Sequence, residues 1–207
     1  MGMLINGKWS NDDQLRNKKG KFVRPESSFR SWITEDGSAG PTGEAGFKAE
    51  AGRYHLYITH NCPWAYRTAI FRRLKKLEDI ISISIVDPIM DDEGWVFGEA
   101  ERSDLDPLLH TRHIHEIYTC SMPNYTGRAS VPILWDRKLG VIVNNESSDI
   151  IRMMNNAFEN LIPNSPDYFP EHLESDIEQI NLKIYEHINN GVYKAGFAIT
   201  QAAYQEA

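Results

Sequence analysis

One junction constrains this chain more than any other feature. The apolar run Tyr54-His55-Leu56-Tyr57-Ile58-Thr59 reads as a strand and leads at once into His60-Asn61-Cys62-Pro63-Trp64-Ala65. Pro63 opens a stretch, 63–78, in which Trp64, Ile70, Phe71, Leu74 and Leu77 recur at helical spacing. Ile81-Ser82-Ile83-Ser84-Ile85-Val86 then alternates and is rich in β-branched residues, a second strand. Strand, helix and strand together have the length of a parallel crossover. Cys62 sits between the strand end and the helix N-terminus, where unpaired N–H groups and the positive end of the helix dipole face its sulfur. Both favour thiolate over thiol, and the thiolate is the nucleophile. Three residues on, where a dithiol redox protein places its second cysteine, stands Ala65. A catalyst of this kind needs a thiol from outside.

The rest of the chain extends the pattern. Val131-Pro132-Ile133-Leu134-Trp135-Asp136 and Val141-Ile142-Val143-Asn144, joined by a turn through Gly140, read as an antiparallel hairpin. Asn145-Glu146-Ser147-Ser148-Asp149 opens a helix with Ile150, Ile151, Met154 and Phe158 on its apolar face. This order is that of a thioredoxin-like α/β domain over 54–158, interrupted by an insertion at 87–127 without a strong period. Residues 1–53, loop-rich and weakly periodic, read as an extension wrapping that domain, with Phe22, Phe29, Trp32 and Phe47 as apolar anchors. Residues 159–170, with Pro163, Pro166 and Pro170, read as a linker. A helix is expected over 171–190, with Leu173, Ile177, Ile180, Ile184, Tyr185 and Ile188 at helical spacing, a stop at Asn189-Asn190-Gly191, and another helix beginning beyond it.

Composition excludes several classes of function. The 207 residues carry a net charge of −7 without a long basic run, which argues against nucleic acid as a partner. The densest basic cluster, Arg67, Arg72, Arg73, Lys75 and Lys76, falls on the helix after Cys62 and reads as a solvated face. No segment has the length and apolarity of a membrane span, and the N-terminus lacks the pattern of a secretion signal. Two cysteines, Cys62 and Cys120, are too few for a disulfide scaffold and suit a reducing compartment, so the cytoplasm is the expected location. His110, His113 and His115, followed by Cys120, could gather imidazoles around a metal; surface histidines on a polar insertion are the preferred reading, and no metal is expected.

Two further groups carry chemistry. A cis Val131–Pro132 bond would leave the Val131 N–H and C=O free to pair with an extended peptide as a short added strand. Ser147, at a helix start, can hold a carboxylate with its hydroxyl and nearby N–H groups, while Glu146 can pair with an amine. A ligand bearing an α-amino and an α-carboxylate group at one end, as the γ-glutamyl end of glutathione does, fits that dipeptide. An ordinary helix cap is the plainer alternative.

Taken in order, Asn61-Cys62-Pro63-Trp64-Ala65, Asp92-Glu93-Gly94-Trp95, Pro123-Asn124-Tyr125-Thr126-Gly127-Arg128, Val131-Pro132-Ile133-Leu134-Trp135-Asp136 and Asn144-Asn145-Glu146-Ser147-Ser148 resemble the glutathionyl-hydroquinone reductases, the Xi class of glutathione transferases. The resemblance runs from about Phe29 to the end of the chain. It implies a thioredoxin-like domain followed by the start, 171–207, of an all-α glutathione-transferase C-terminal domain, since family members continue well past this length. It implies glutathione as co-substrate and Cys62 as the nucleophile, forming a mixed disulfide that a second glutathione resolves. By match to the family's motifs, Trp95, Arg128, Val131, Glu146 and Ser147 would bind glutathione. Tyr193 would help the leaving hydroquinone, its phenol donating to the developing oxyanion. A homodimer is expected of full-length members rather than of this chain. The alternatives are an omega-like or glutaredoxin-like thiol transferase using the same Cys62, and a non-catalytic glutathione-binding fragment.

Overall fold

Met3–Ile5 (β1) and Lys8–Ser10 (β2) pair antiparallel around Asn6-Gly7, whose φ angles of 48° and 76° are those of a two-residue hairpin turn. Weak periodicity in this part of the chain hid the hairpin. Leu4 is fully buried, and its backbone exchanges hydrogen bonds of 2.8 and 2.9 Å with Gly127. The computed structural model describes residues 2–11 and 20–207; the rest of the expected 1–53 extension lies outside the described residues. The chain forms two compact units, one of Met1–Asp12 and Ser27–Asp167, the other of Asp13–Glu26 and Tyr168–Ala207.

The first unit is built on a four-stranded mixed sheet, with Tyr54–Ile58 (β3) and Ile81–Ile85 (β4) parallel and Ile133–Asp136 (β5) and Val141–Asn144 (β6) antiparallel, in the order β4-β3-β5-β6. Every residue of β3 is buried, as expected of a strand covered on both faces. Among the described residues this unit has three helices: Pro63–Leu74 (α1), Ile114–Ser121 (α2) and Ser147–Asn156 (α3). α1 packs on β3 and α3. This is a thioredoxin-like arrangement. Phe47 joins the core, and Phe29 and Trp32 pack against it.

Two readings of this unit are corrected. In α1, Ile70 and Leu74 are exposed, and the buried positions are Ala65 and Thr68; small residues let this helix approach its neighbours closely. The basic cluster on α1 is not simply solvated. Arg72 donates to the carbonyls of Ile81 and Glu78, and Lys75, almost fully buried, donates to the Pro166 carbonyl at 2.8 Å. The 87–127 insertion, read as having no strong period, holds one short helix: α2 buries Ile114, Ile117 and Tyr118, and the Asp106 carboxylate accepts from Tyr57 Oη and from the N–H groups of Leu108, Leu109 and Thr111.

In the second unit a single 3₁₀ turn, Glu171–Leu173, leads into Glu174–Lys183 (α4), a π-helical segment Ile184–Asn189, Asn190–Gly196 (α5) and, after a break, Gln201–Glu206 (α6). The expected stop at Asn189-Asn190-Gly191 does not occur. Asn190 is buried and accepts a 2.7 Å hydrogen bond from Arg24, so its side chain is engaged elsewhere and does not end the helix. The break comes instead at Phe197–Thr200, where the Thr200 hydroxyl accepts from the Ala203 N–H and caps α6. No described helix is long and apolar enough to cross a membrane.

Candidate active site

Cys62 caps α1. Its backbone is extended (φ −97°, ψ 110°), its carbonyl accepts the first helical bond from Tyr66 at 2.8 Å, and Pro63 occupies the first helical position, where a missing N–H costs nothing. The side chain is half-buried, and in the thiol form Sγ donates to the Val131 carbonyl at 3.7 Å. The Val131–Pro132 peptide is cis. The Val131 carbonyl is therefore not free, as anticipated, but holds the cysteine; the Val131 N–H has no acceptor among the described residues. Ala65 is fully buried, and Cys120 is exposed on α2, its thiol pushed up by burial of the sulfur and then by Glu116 and Asp106.

At the start of α3, Glu146 is the cap. Its carboxylate accepts from the Ser148 N–H (3.2 Å) and hydroxyl (3.1 Å) and from the Ser27 hydroxyl (2.9 Å). Ser147 is buried, and its hydroxyl accepts from two nitrogens of Arg67, at 3.0 and 2.7 Å. The Arg67 guanidinium also lies 3.8 Å from the Glu146 carboxylate and 5.1 Å from the centre of the Trp64 ring. Sequence reasoning missed Arg67 because it counted only as one of a run of basic residues. Its position one helical turn and a half from Cys62, on the helix that meets α3, is the signal that could have found it.

Tyr118 lies behind both groups. Its fully buried hydroxyl donates to the Ser130 carbonyl (2.9 Å) and accepts from the Ser130 N–H (3.2 Å) and the Asn145 amide (2.9 Å). Burial pushes this phenol up to about 12. Ser130 and Asn145 immediately precede Val131 and Glu146, so one hydroxyl ties the two approaches to the site together.

Trp95 and Arg128 stand in the loops before and after α2. The Trp95 indole is half-buried against the core, and its carbonyl accepts from Ile114 N–H at 2.9 Å. The Arg128 carbonyl accepts from Tyr125 Oη at 3.2 Å. Tyr193 belongs to the second unit, on α5. Its ring stacks with Phe22 and Phe197 at 5.6 and 6.0 Å between centroids, and the Arg24 guanidinium lies 4.4 Å above it. The structure thus joins Cys62 directly to Val131, and Ser147 and Glu146 to Arg67, within the first unit.

Of the histidines considered for a metal, His110 is exposed and belongs to no cluster of donors among the described residues. Glu93, His113 and His115 do place donor atoms within 4.8 Å of one another. These donors already pair among themselves and with Asp91.

A thioredoxin-like sheet, a cysteine at the head of its first helix and an acid–serine pair at the head of its last define the N-terminal half of a glutathione transferase. Residues 61–157 match the family of glutathione S-transferase N-terminal domains. The whole chain is 48% identical to the glutathionyl-hydroquinone reductase YqjG of Escherichia coli, of which it covers 64%. It superposes on the glutathione-bound structure of that protein with a TM-score of 0.89, at 45% identity, covering 99% of this chain and 61% of the other. It superposes on the Xi glutathione transferase of Phanerochaete chrysosporium with a TM-score of 0.86, at 46% identity, over 93% and 60% of the two chains. Residues 61–157 thus carry a glutathione S-transferase N-terminal domain, and the whole chain is similar to glutathione transferases of the Xi class. It spans less than two thirds of the length of these relatives.

Proposed function

We propose that this chain carries the glutathione-binding, thiol-reactive part of a glutathionyl-hydroquinone reductase. The observation that carries the reading is Cys62 at the α1 N-terminus, set against Val131, with Ala65 where a resolving thiol would be. The Cys62 thiolate attacks the glutathione sulfur of an S-glutathionyl-hydroquinone. The new bond is S–S and the bond broken is sulfur to ring carbon; that carbon has taken up a proton in the keto tautomer, so the electron pair restores the aromatic ring and ends on the hydroquinone oxygen, which is protonated as the hydroquinone leaves. A second glutathione thiolate then attacks the mixed disulfide, releasing oxidised glutathione and restoring Cys62. The Val131 main chain pairs with the cysteinyl backbone of glutathione. Glu146 takes the α-amino group, and Ser147 and the Arg67 guanidinium receive the α-carboxylate. Arg128 supplies charge at the glycyl or thiol end, Trp95 covers the peptide, and Tyr193 donates to the leaving oxyanion. Neither cysteine needs a metal for this chemistry, and cytosolic reducing conditions suit it.

The test is glutathionyl-menadiol turnover with glutathione. Cys62→Ala is expected to abolish it, and Cys120→Ala to leave it within about twofold, because a thiol pushed up by burial supplies little thiolate near neutrality. Equal loss from both substitutions would refute the single-thiol scheme. Protein deglutathionylation without quinol turnover would favour the omega-like reading.

A further inference from the structure

The histidine cluster on the insertion does more than decorate a surface. Asp91–Gly94 is a tight turn closed by reciprocal hydrogen bonds of 3.0 and 3.2 Å between Asp91 and Gly94, with the Glu93 N–H also donating to the Asp91 carboxylate. Two of the three carboxylates of this turn, those of Asp91 and Glu93, reach the head of α2. His113 Nε2 donates to Asp91 at 2.8 Å, and His115 Nε2 donates to Glu93 at 3.2 Å. The two imidazoles stack on each other at 5.2 Å, and the Trp9 ring stacks on His115 at 5.0 Å. The Trp9 indole N–H donates to the Asp92 carbonyl at 3.1 Å, and its ring fills the space beside Gly94, whose φ of +92° also demands glycine. The next residue is Trp95. Its carbonyl takes the Ile114 N–H, and Val96 beyond it pairs with His113. Trp95 is therefore held on both sides by the same three residues, His113 to His115.

The electrostatics agree. Burial works against the Asp91 carboxylate, but the hydrogen bonds from His113 and the Glu93 N–H outweigh it and hold this group below its ordinary value. Burial pushes His115 down, so near neutrality it is the uncharged ring that donates to Glu93.

We infer that His113 and His115 are positioning residues for glutathione: through Asp91 and Glu93 they clamp the turn that sets the Trp95 indole over the peptide. The inference rests on the proposed role of Trp95 in glutathione binding. It is tested by glutathione affinity, measured calorimetrically on this chain and on variants. Trp95→Ala gives the reference loss. The double variant His113→Leu/His115→Leu is expected to weaken binding roughly tenfold, and to add nothing further in the Trp95→Ala background. His113→Gln/His115→Gln, whose amides can still donate to the carboxylates, is expected to restore most of the affinity. Glu93→Ala, at an exposed position with little folding risk, is expected to cost about threefold. Leucine variants that melt like the parent but bind glutathione normally, while Trp95→Ala binds weakly, would overturn the clamp and leave the glutathione site standing. Losses that add fully to that of Trp95→Ala would also overturn it. No effect from Trp95→Ala itself, or no binding by the parent chain, would instead remove the reading beneath it. If the leucine pair does not fold, Glu93→Ala decides: unchanged affinity refutes the clamp.

Discussion

Arg67 shows how much a single side chain decides here. Its guanidinium donates twice to the hydroxyl of Ser147, the same hydroxyl that the motif reading assigns to the ligand. A serine hydroxyl flanked by a fixed cation attracts a carboxylate far better than a neutral cap does. Arg67→Ala should therefore weaken glutathione binding by about tenfold, the cost of one charge-assisted hydrogen bond, while iodoacetamide still alkylates Cys62 at close to the parental rate. An unchanged dissociation constant would show that Arg67 serves only to join α1 to α3. Tyr118 makes the complementary case, since it is sealed from solvent behind the site. Tyr118→Phe keeps the ring and removes the hydroxyl that holds Ser130 and Asn145. The prediction is a destabilisation of about 1–3 kcal/mol by denaturant unfolding, because two buried donors and an acceptor lose their partner, together with weaker glutathione binding. Full stability in Tyr118→Phe would mean that water replaces the hydroxyl.

At the scale of elements, β3 and β4 are joined by an unusual cross-strand group. His55 is buried with one ring nitrogen 2.7 Å from the Ser82 hydroxyl and the other 3.0 Å from that of Ser84. Burial lowers it to about 4, with Asp106 opposing and Arg137 and Arg72 assisting. The folded state thus takes up its proton less readily than the unfolded chain, whose histidine titrates near its ordinary value of about 6.5. Stability from this group is complete above pH 6.5 and is lost as pH falls toward 4. The loss is about 3 kcal/mol over that window. Urea unfolding at a series of pH values should show this slope, and His55→Gln should flatten it. A parent curve without slope between pH 6.5 and 4 would mean that His55 protonates in place. The two strands themselves were plain in the sequence, since β-branched alternation is local. The helix after Cys62 was equally plain, although its buried face is Ala65 and Thr68 rather than the large apolar residues. The β1–β2 hairpin and α2 were not, because one is two three-residue strands and the other a single short helix capped by His113. The same holds at the site. Cys62, Val131, Glu146 and Ser147 announce themselves by motif. Arg67, Tyr118 and the His113–Asp91 pair act across long stretches of chain, which no local pattern reports.

Across the whole molecule the two units differ in what keeps them folded. The first encloses a continuous core in which Leu56, Tyr57, Ile58, Ile133, Leu134 and Ile150 are sealed from solvent, and it ties the turn before β3 to β5 through a buried pair, Arg53 with Asp136. The second leaves Ile180, Leu182, Ile188 and Val192 more than half exposed; α4 has no buried residue, and α5 and α6 bury Asn190 and Ala203. Its described contacts include the stacked Phe22, Tyr193 and Phe197 rings and the Arg24–Asn190 bond. Since apolar burial contributes about 25 cal/mol per Å², the second unit should open at far lower free energy than the first. Amide exchange followed by mass spectrometry would read this directly: peptides from β3 and β5 should exchange slowest, and those from α4 and the π-helical segment at least about a hundredfold faster. Saturating glutathione should then slow exchange at the starts of α1 and α3 and around Val131, where the proposed contacts lie. Its stabilisation should approach about 2.7 kcal/mol when the ligand is at a hundred times its dissociation constant. Equal protection in the two units would contradict the difference in burial. Slowing confined to α4 would place glutathione somewhere other than the Cys62 site.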